Sequence, residues 1–116
     1  ITVKGGASDG RILLTGRVEG SKGADVVAAN DITLGTGNHF VVTGNTQVNT
    51  IASTNWREGS EVTLRFTGTP TVKNATAGAG AQLRLAGAAD FVASADAMLT
   101  LMFSGTLWYE KCRSVN

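Results

Sequence analysis

The 116-residue sequence predicts an all-β fold, a β-solenoid (β-helix-like) set of coils closed by a terminal cap, with a β-sandwich as the alternative. Three observations lead there. From Val62 to Thr67 apolar and polar residues alternate without a break. Val62, Leu64 and Phe66 share one face and Thr63, Arg65 and Thr67 the other, the period of a half-buried strand. The ending of that strand then recurs, as Leu14-Thr15-Gly16, Val42-Thr43-Gly44, Phe66-Thr67-Gly68, Leu85-Ala86-Gly87 and Phe103-Ser104-Gly105, at intervals of 28, 24, 19 and 18 residues. Stacked coils that each end a strand on Gly produce such a repeat, whereas sandwich strands usually close at a spacing of about 8 to 12 residues. Finally, charged residues are 16% of the chain, against a usual share of about a quarter. Fifteen Gly and as many Thr take their place, with a single Pro; Thr suits strands, Gly suits turns, and few prolines leave ladders unbroken.

Taken in order, residues 1–4 alternate like the end of a strand and residues 5–10 form a turn cluster. In residues 11–19, Ile12, Leu14 and Val18 oppose Arg11 and Arg17, a strand pattern with Leu13 as an exposed exception. Residues 20–23 are a turn, and 24–30 a connector of small residues without a period. A short strand at 32–34 leads through the tight loop 35–38 into a strand at 39–43, which ends on the turn pair Gly44-Asn45. Residues 47–51 make another strand with Val48 inward. After the main strand, Pro70 marks an edge or a strand start before 71–73. The Ala- and Gly-rich residues 74–81 form a closely packed loop, and 82–85 alternate again. Residues 88–103 are ambiguous, since Phe91, Ala95, Met98 and Met102 fall at helical spacing. Within them, 98–103 are apolar on both parities and stop at Ser104-Gly105 ahead of a further strand at 107–113, which favours a strand. A strand apolar on both faces is normally buried on both. In so small a domain a second subunit supplies the missing cover, so an oligomer interface is expected there.

The length allows one domain. Ten basic and nine acidic residues leave a formal charge of +1. No basic stripe interleaved with aromatics indicates a nucleic-acid surface, and no apolar run approaches the roughly 18 residues of a membrane-spanning helix. Cys112 is the only cysteine and His39 the only histidine. Together they exclude an intrachain disulfide and a structural zinc site. The chain opens at Ile1 on residues that already alternate, which suggests a piece of a longer protein.

Chemistry is sparse. No G-x-S-x-G elbow is present, and a lone His in a strand is more often packed than catalytic. Gly35-Thr36-Gly37 and Gly78-Ala79-Gly80 echo phosphate loops but read as turns. Glu58 and Glu61 are the pair of carboxylates that glycoside hydrolysis would require; they flank a turn, where solvated acids are ordinary. Asp90 and Asp96 punctuate turns. Asn74-Ala75-Thr76 matches a glycosylation acceptor that matters only in a eukaryotic secretory setting. Trp56, Trp108 and Tyr109 have faces suited to stacking on sugar rings, or serve as the large plugs of a core otherwise built from small aliphatics. No catalytic residue, metal or cofactor is assigned.

The run Gly35-Thr36-Gly37-Asn38-His39-Phe40-Val41-Val42-Thr43-Gly44-Asn45-Thr46, with Ile51, Trp56-Arg57-Glu58-Gly59, Val62-Thr63-Leu64-Arg65-Phe66, Leu83-Arg84-Leu85-Ala86-Gly87 and Trp108, resembles the C-terminal segment of bacteriophage tail spikes and tail fibres. Gly10-Arg11-Ile12-Leu13-Leu14-Thr15-Gly16 resembles a coil of the β-helix that precedes such a segment. The resemblance implies a parallel homotrimer in the virion tail, acting at the bacterial cell surface and its polysaccharide. Residues 1–30 would be the last coil and 31–116 the capping and trimerising segment. Any depolymerase site of such a parent chain would lie in its main β-helix, so the segment itself is expected to be structural and not an enzyme. Val62, Leu64, Phe66, Leu99, Leu101, Phe103 and Trp108 are the expected core and trimer interface. The alternative is a carbohydrate-binding module that reads host polysaccharide through Trp56, Arg57 and Tyr109.

Overall fold

The computed structural model describes residues 13–116, which fold as ten strands with one 3-10 turn at Ala86–Ala88. The expectations for residues 1–12 lie outside the described residues. Successive passes of the chain stack on one another. On one wall β1 (Val26–Val27), β3 (His39–Thr43) and β5 (Glu61–Phe66) pair in parallel, with Val26 beside Val42 and Val42 beside Phe66. On the opposite wall β2 (Asp31–Ile32) pairs in parallel with β4 (Thr50–Ile51). Val48 adds a parallel bridge to Val72 of β6 (Thr71–Val72). Parallel neighbours need a crossover between them, and here each crossover is the visit to the other wall.

After β6 the direction reverses. β7 (Ala81–Arg84) runs antiparallel to β4, and β8 (Phe91–Val92) antiparallel to β6. β9 (Met98–Ser104) runs antiparallel to β5, and β10 (Leu107–Ser114) pairs antiparallel with β9 and parallel with β7. The result is one eight-stranded sheet, β1-β3-β5-β9-β10-β7-β4-β2, that wraps almost closed around the core. Its edge strands, β1 and β2, are consecutive in the chain.

Alternation sets what enters that core. β5 buries Val62, Leu64 and Phe66 and leaves Glu61, Thr63 and Arg65 outward. β9, apolar on both parities, buries Leu99, Leu101 and Phe103 and keeps Met98, Thr100 and Met102 half-buried on the outer face. Trp108 is fully buried, and its Nε1 donates to the carbonyl of Ile51 on the opposite wall at 3.2 Å, which satisfies its one polar atom.

Corners carry the polar work. Asn30 Nδ2 donates to the Gln47 carbonyl (3.0 Å) and Asn38 Nδ2 to the Glu61 carbonyl (3.1 Å). Asn45 Oδ1 accepts from the Thr69 amide and Asn74 Oδ1 from the Leu85 amide, both at 2.8 Å. Each ties one turn to backbone further along the chain. Two glycines allow the passes to approach. A Cβ on Gly68 would overlap the Gly44 carbonyl oxygen and Asn45 Oδ1, and one on Gly80 would overlap Asp31 Oδ1. Thr50, the buried polar residue of the core, donates to Asp31 Oδ1 (2.5 Å) and accepts from the Gly80 amide (3.1 Å).

Four expectations change. Of the strand expected at 47–51 only Thr50–Ile51 forms, with Val48, inward as expected, in an isolated bridge to Val72. Residues 13–20 carry no strand, and Leu13, Leu14 and Val18 are 86%, 61% and 72% exposed, because among the described residues no strand completes a ladder beside them. The connector 24–30 contains β1, a strand too short to show a period. The strand expected at 32–34 forms at Asp31–Ile32 instead. Residues 98–103 are strand and not helix, as their termination at Ser104-Gly105 implied.

Candidate functional site

Trp56 lies in the loop between β4 and β5, half-buried. Its ring meets Trp108 edge to face, with centroids 5.4 Å apart at 72°, and Trp108 meets Phe103 in the same way at 5.0 Å and 64°. This aromatic stack anchors Trp56 to the core. In front of it lies a cleft of about 380 Å3 between two successive corners, residues 34–37 on one side and Thr54, Asn55, Trp56 and Ser60 on the other.

Both corners are held by backbone. The Asn38 amide donates to the Ser21 carbonyl at 2.7 Å. Across the cleft the Gly59 amide donates to the Phe103 carbonyl and the Phe103 amide to the Ser60 carbonyl, both at 2.8 Å. The Arg57 amide donates to Ser60 Oγ at 3.2 Å. Asn55 takes a left-handed φ of 69°, which Asn tolerates better than most residues. Among the described residues no ionisable side chain lines the cleft.

The aromatic residues singled out in the sequence separate. Strand alternation turns Trp108 inward and leaves Tyr109, 43% exposed, on the outer face in register with Met102 and Arg84. Arg57 is exposed beside Trp56, outside the cleft lining. Val62, Leu64, Phe66, Leu99, Leu101, Phe103 and Trp108 all lie in one hydrophobic cluster, each 7% exposed or less.

The acids serve the scaffold. The Glu58 carboxylate accepts from the Gly105 amide (2.6 Å) and Ser104 Oγ (2.9 Å), clamping the β9–β10 turn. The amide and then the hydroxyl hold its pKa below the ordinary value. Glu61 accepts from Lys111 Nζ at 3.1 Å. Asp90 accepts from Lys73 Nζ (2.6 Å) and the Asn74 amide (2.8 Å), and these bonds, Lys73 first, pull its pKa down. Asp96 accepts from Arg65. His39 Nε2 is buried without a hydrogen-bond partner.

One ion pair was not legible in the sequence. The Glu110 side chain is only 4% exposed; it accepts from Arg113 Nε and Nη2, both at 2.7 Å, and from the Ala86 amide at 2.9 Å. Arg113 also lies over the Phe91 ring, 4.3 Å from its centroid. In a regular strand residues three apart point to opposite faces. The register shift between Glu110 and Cys112 brings Glu110 and Arg113 to the same face, opposite Leu101 and Leu99. Hydrogen bonding to Arg113 is the main cause that lowers the Glu110 pKa and raises that of Arg113.

The outer face of β5, β9 and β10 forms rows: Thr63, Thr100 and Cys112 side by side, then Glu61, Met102 and Tyr109, then Arg65, Met98 and Ser114. Thr63 and Thr100 share a hydroxyl hydrogen bond of 3.0 Å. A shallow hollow of about 220 Å3 opens over this face beside Met98, Thr100 and Cys112. Among the described residues no three His, Cys, Asp or Glu side chains gather as metal ligands, and no helix is long and apolar enough to cross a membrane. Comparison with protein-family models, with characterised proteins and with solved structures finds no match to this chain.

Proposed function

We propose that this chain is the closing segment of a β-solenoid in a bacteriophage tail spike or tail fibre, structural and not catalytic, joined as a homotrimer in the virion tail where it meets the bacterial surface. The observation that carries the reading is the reversal of chain direction. Parallel passes stack through β5 and β6; β9, β10 and β7 then span the gap between β5 and β4, while β8 turns back along β6 in a separate pair. A stacked coil ends in unpaired backbone and an open core, and such a reversal closes both. Among the described residues the opposite end leaves its edge strands β1 and β2 unpaired on one side, with Val27 72% exposed.

The trimer rests on the outer face of β9. Met98, Thr100 and Met102 are half-buried within one chain, and the nearest charges, Glu61 with Lys111 and Arg65 with Asp96, are already paired within it. With those charges paired, the two methionines and Thr100 form the part of the face that gains by meeting its own copies. Sedimentation equilibrium at micromolar concentration tests it. The expected result is a trimer, and Thr100→Glu, at the centre of that face, should give a monomer with an unchanged circular dichroism spectrum. A wild-type monomer would remove the trimer from the reading.

A further inference from the structure

We propose that residues 13–20 are a processing segment, in which an endoprotease of basic specificity hydrolyses the Arg17–Val18 bond and leaves residues 18–116 as a folded stack. The inference stands on this segment and not on the oligomeric reading above. One water is consumed: its oxygen goes to the Arg17 carbonyl carbon, which becomes a carboxylate, and the Val18 nitrogen leaves as a free amine.

An endoprotease takes its substrate as an extended strand, so the chain around the cut must be free of ladders of its own. Among the described residues, no backbone hydrogen bond ties residues 13–20 to another part of the chain; the first tie beyond them is the Ser21 carbonyl, which accepts from the Asn38 amide at 2.7 Å. Every residue from 13 to 20 is exposed. A Cβ on Gly16 or Gly20 would meet no atom within 4 Å, so there is open space on both sides of the bond. The Arg17 side chain is 84% exposed, and its 3.5 Å contact with Glu19 is a surface ion pair of the kind that restrains little. Val18 follows it, and not a proline, whose ring would hinder the cut.

The other described basic residues sit on backbone that is held. Lys22 forms a parallel bridge with His39. Arg65 lies in β5, Arg84 in β7, and Lys111 and Arg113 in β10, strands with a neighbour on each side. The Lys73 amide donates to the Val48 carbonyl at 2.8 Å. Arg57 is the strongest competitor, but its carbonyl accepts from the Ser60 amide at 2.9 Å, and its turn is anchored by Trp56 on Trp108 and by Glu58 on the Gly105 amide. Cleavage at these positions waits on local opening, and its rate scales with the population of the open form. Arg17 needs no such opening.

Limited digestion of the whole chain with trypsin, followed by intact-mass spectrometry and circular dichroism, tests this. The product that accumulates should run from Val18 to Asn116, whatever is cut ahead of it, and should keep the strand spectrum of the intact chain. A glutamate-specific protease should give a product beginning at Gly20, since Glu19 shares the open segment while Glu58, Glu61 and Glu110 are bonded to other parts of the fold. Arg17→Gln should slow the first tryptic cut within residues 13–116 by about 10-fold or more, because the next bond must wait for opening, and should leave the cut at Glu19 unchanged. The proposal is overturned if the accumulating tryptic product retains the Arg17–Val18 bond, if Arg57 or a strand residue is cut first, if Glu58, Glu61 or Glu110 is cut before Glu19, or if the product loses the strand spectrum.

Discussion

Glu110 and Arg113 illustrate how a single extra residue in a strand creates a local constraint. The bulge at Lys111 points both side chains into the space under residues 86–92, where Phe91 forms one wall. The carboxylate accepts three hydrogen bonds there, so its pKa lies below the ordinary 4.5. A carboxylate with a folded-state pKa below its unfolded value stabilises the fold above the unfolded value, and that contribution is lost as pH falls through the folded one. Glu110→Gln should therefore cost about 1 to 3 kcal/mol at pH 7, from charge-assisted bonds and an Arg113 left without its partner. The gap between variant and wild type in urea unfolding should narrow as pH drops below about 4.5, the region where the free carboxyl protonates. A gap independent of pH would show that the pair contributes packing and not charge. Glu58 and Asp90, also held low by hydrogen bonds, shift the same way in both proteins and cancel in the comparison.

β9 is the element on which packing turns and on which the proposed assembly rests. Its inner side chains, Leu99 and Leu101, are fully buried, and its outer ones are only half-covered by their own chain. Leu101→Ala should cost about 2 to 5 kcal/mol through lost transfer energy and the cavity left behind. Met102→Ala, on the other parity, should stay within about 1 kcal/mol in the monomeric chain. Chemical denaturation of both variants at dilution low enough to exclude self-association separates them. Equal costs would mean that the outer face is packed within one chain and has nothing to offer a partner. The doubly apolar pattern of residues 98–103 thus reads, in the fold, as one core face and one free face.

Across the whole molecule, the two ends of the stack differ. β5, β9 and β10 each have neighbours on both sides and bury the largest side chains, whereas β1 and β2 are short and each has an open side. Opening free energies follow such gradients, since exposed backbone bonds with few apolar contacts open first. Native-state amide exchange should show the greatest protection in β5 and β9 and the least in β1, β2 and residues 13–20. Uniform protection from β1 to β10 would contradict a stack held from its closed end.

The strands expected at 39–43, 62–67, 82–85, 98–103 and 107–113 form within a residue of those bounds, at 39–43, 61–66, 81–84, 98–104 and 107–114, because alternation is a property of neighbours in sequence and Gly marks where a run can stop. The inward faces followed from the same parity, and so did the burial of Val62, Leu64, Phe66, Leu99, Leu101, Phe103 and Trp108. Which strands pair, and in which direction, was decided only in three dimensions. A two-residue strand such as β1 has no period, and residues 13–20 have a period but no partner. The candidate site shows the same division. Trp56 stood out by its type, but its companions Thr36, Thr54 and Asn55 sit on two corners that approach only when one pass lies on the next, and Tyr109 was carried to the other face by alternation from Trp108. Sequence determines which way a side chain faces along its own strand, because that depends on adjacent bonds; the tertiary structure decides what it faces, because that depends on ladders closed between residues far apart in the chain.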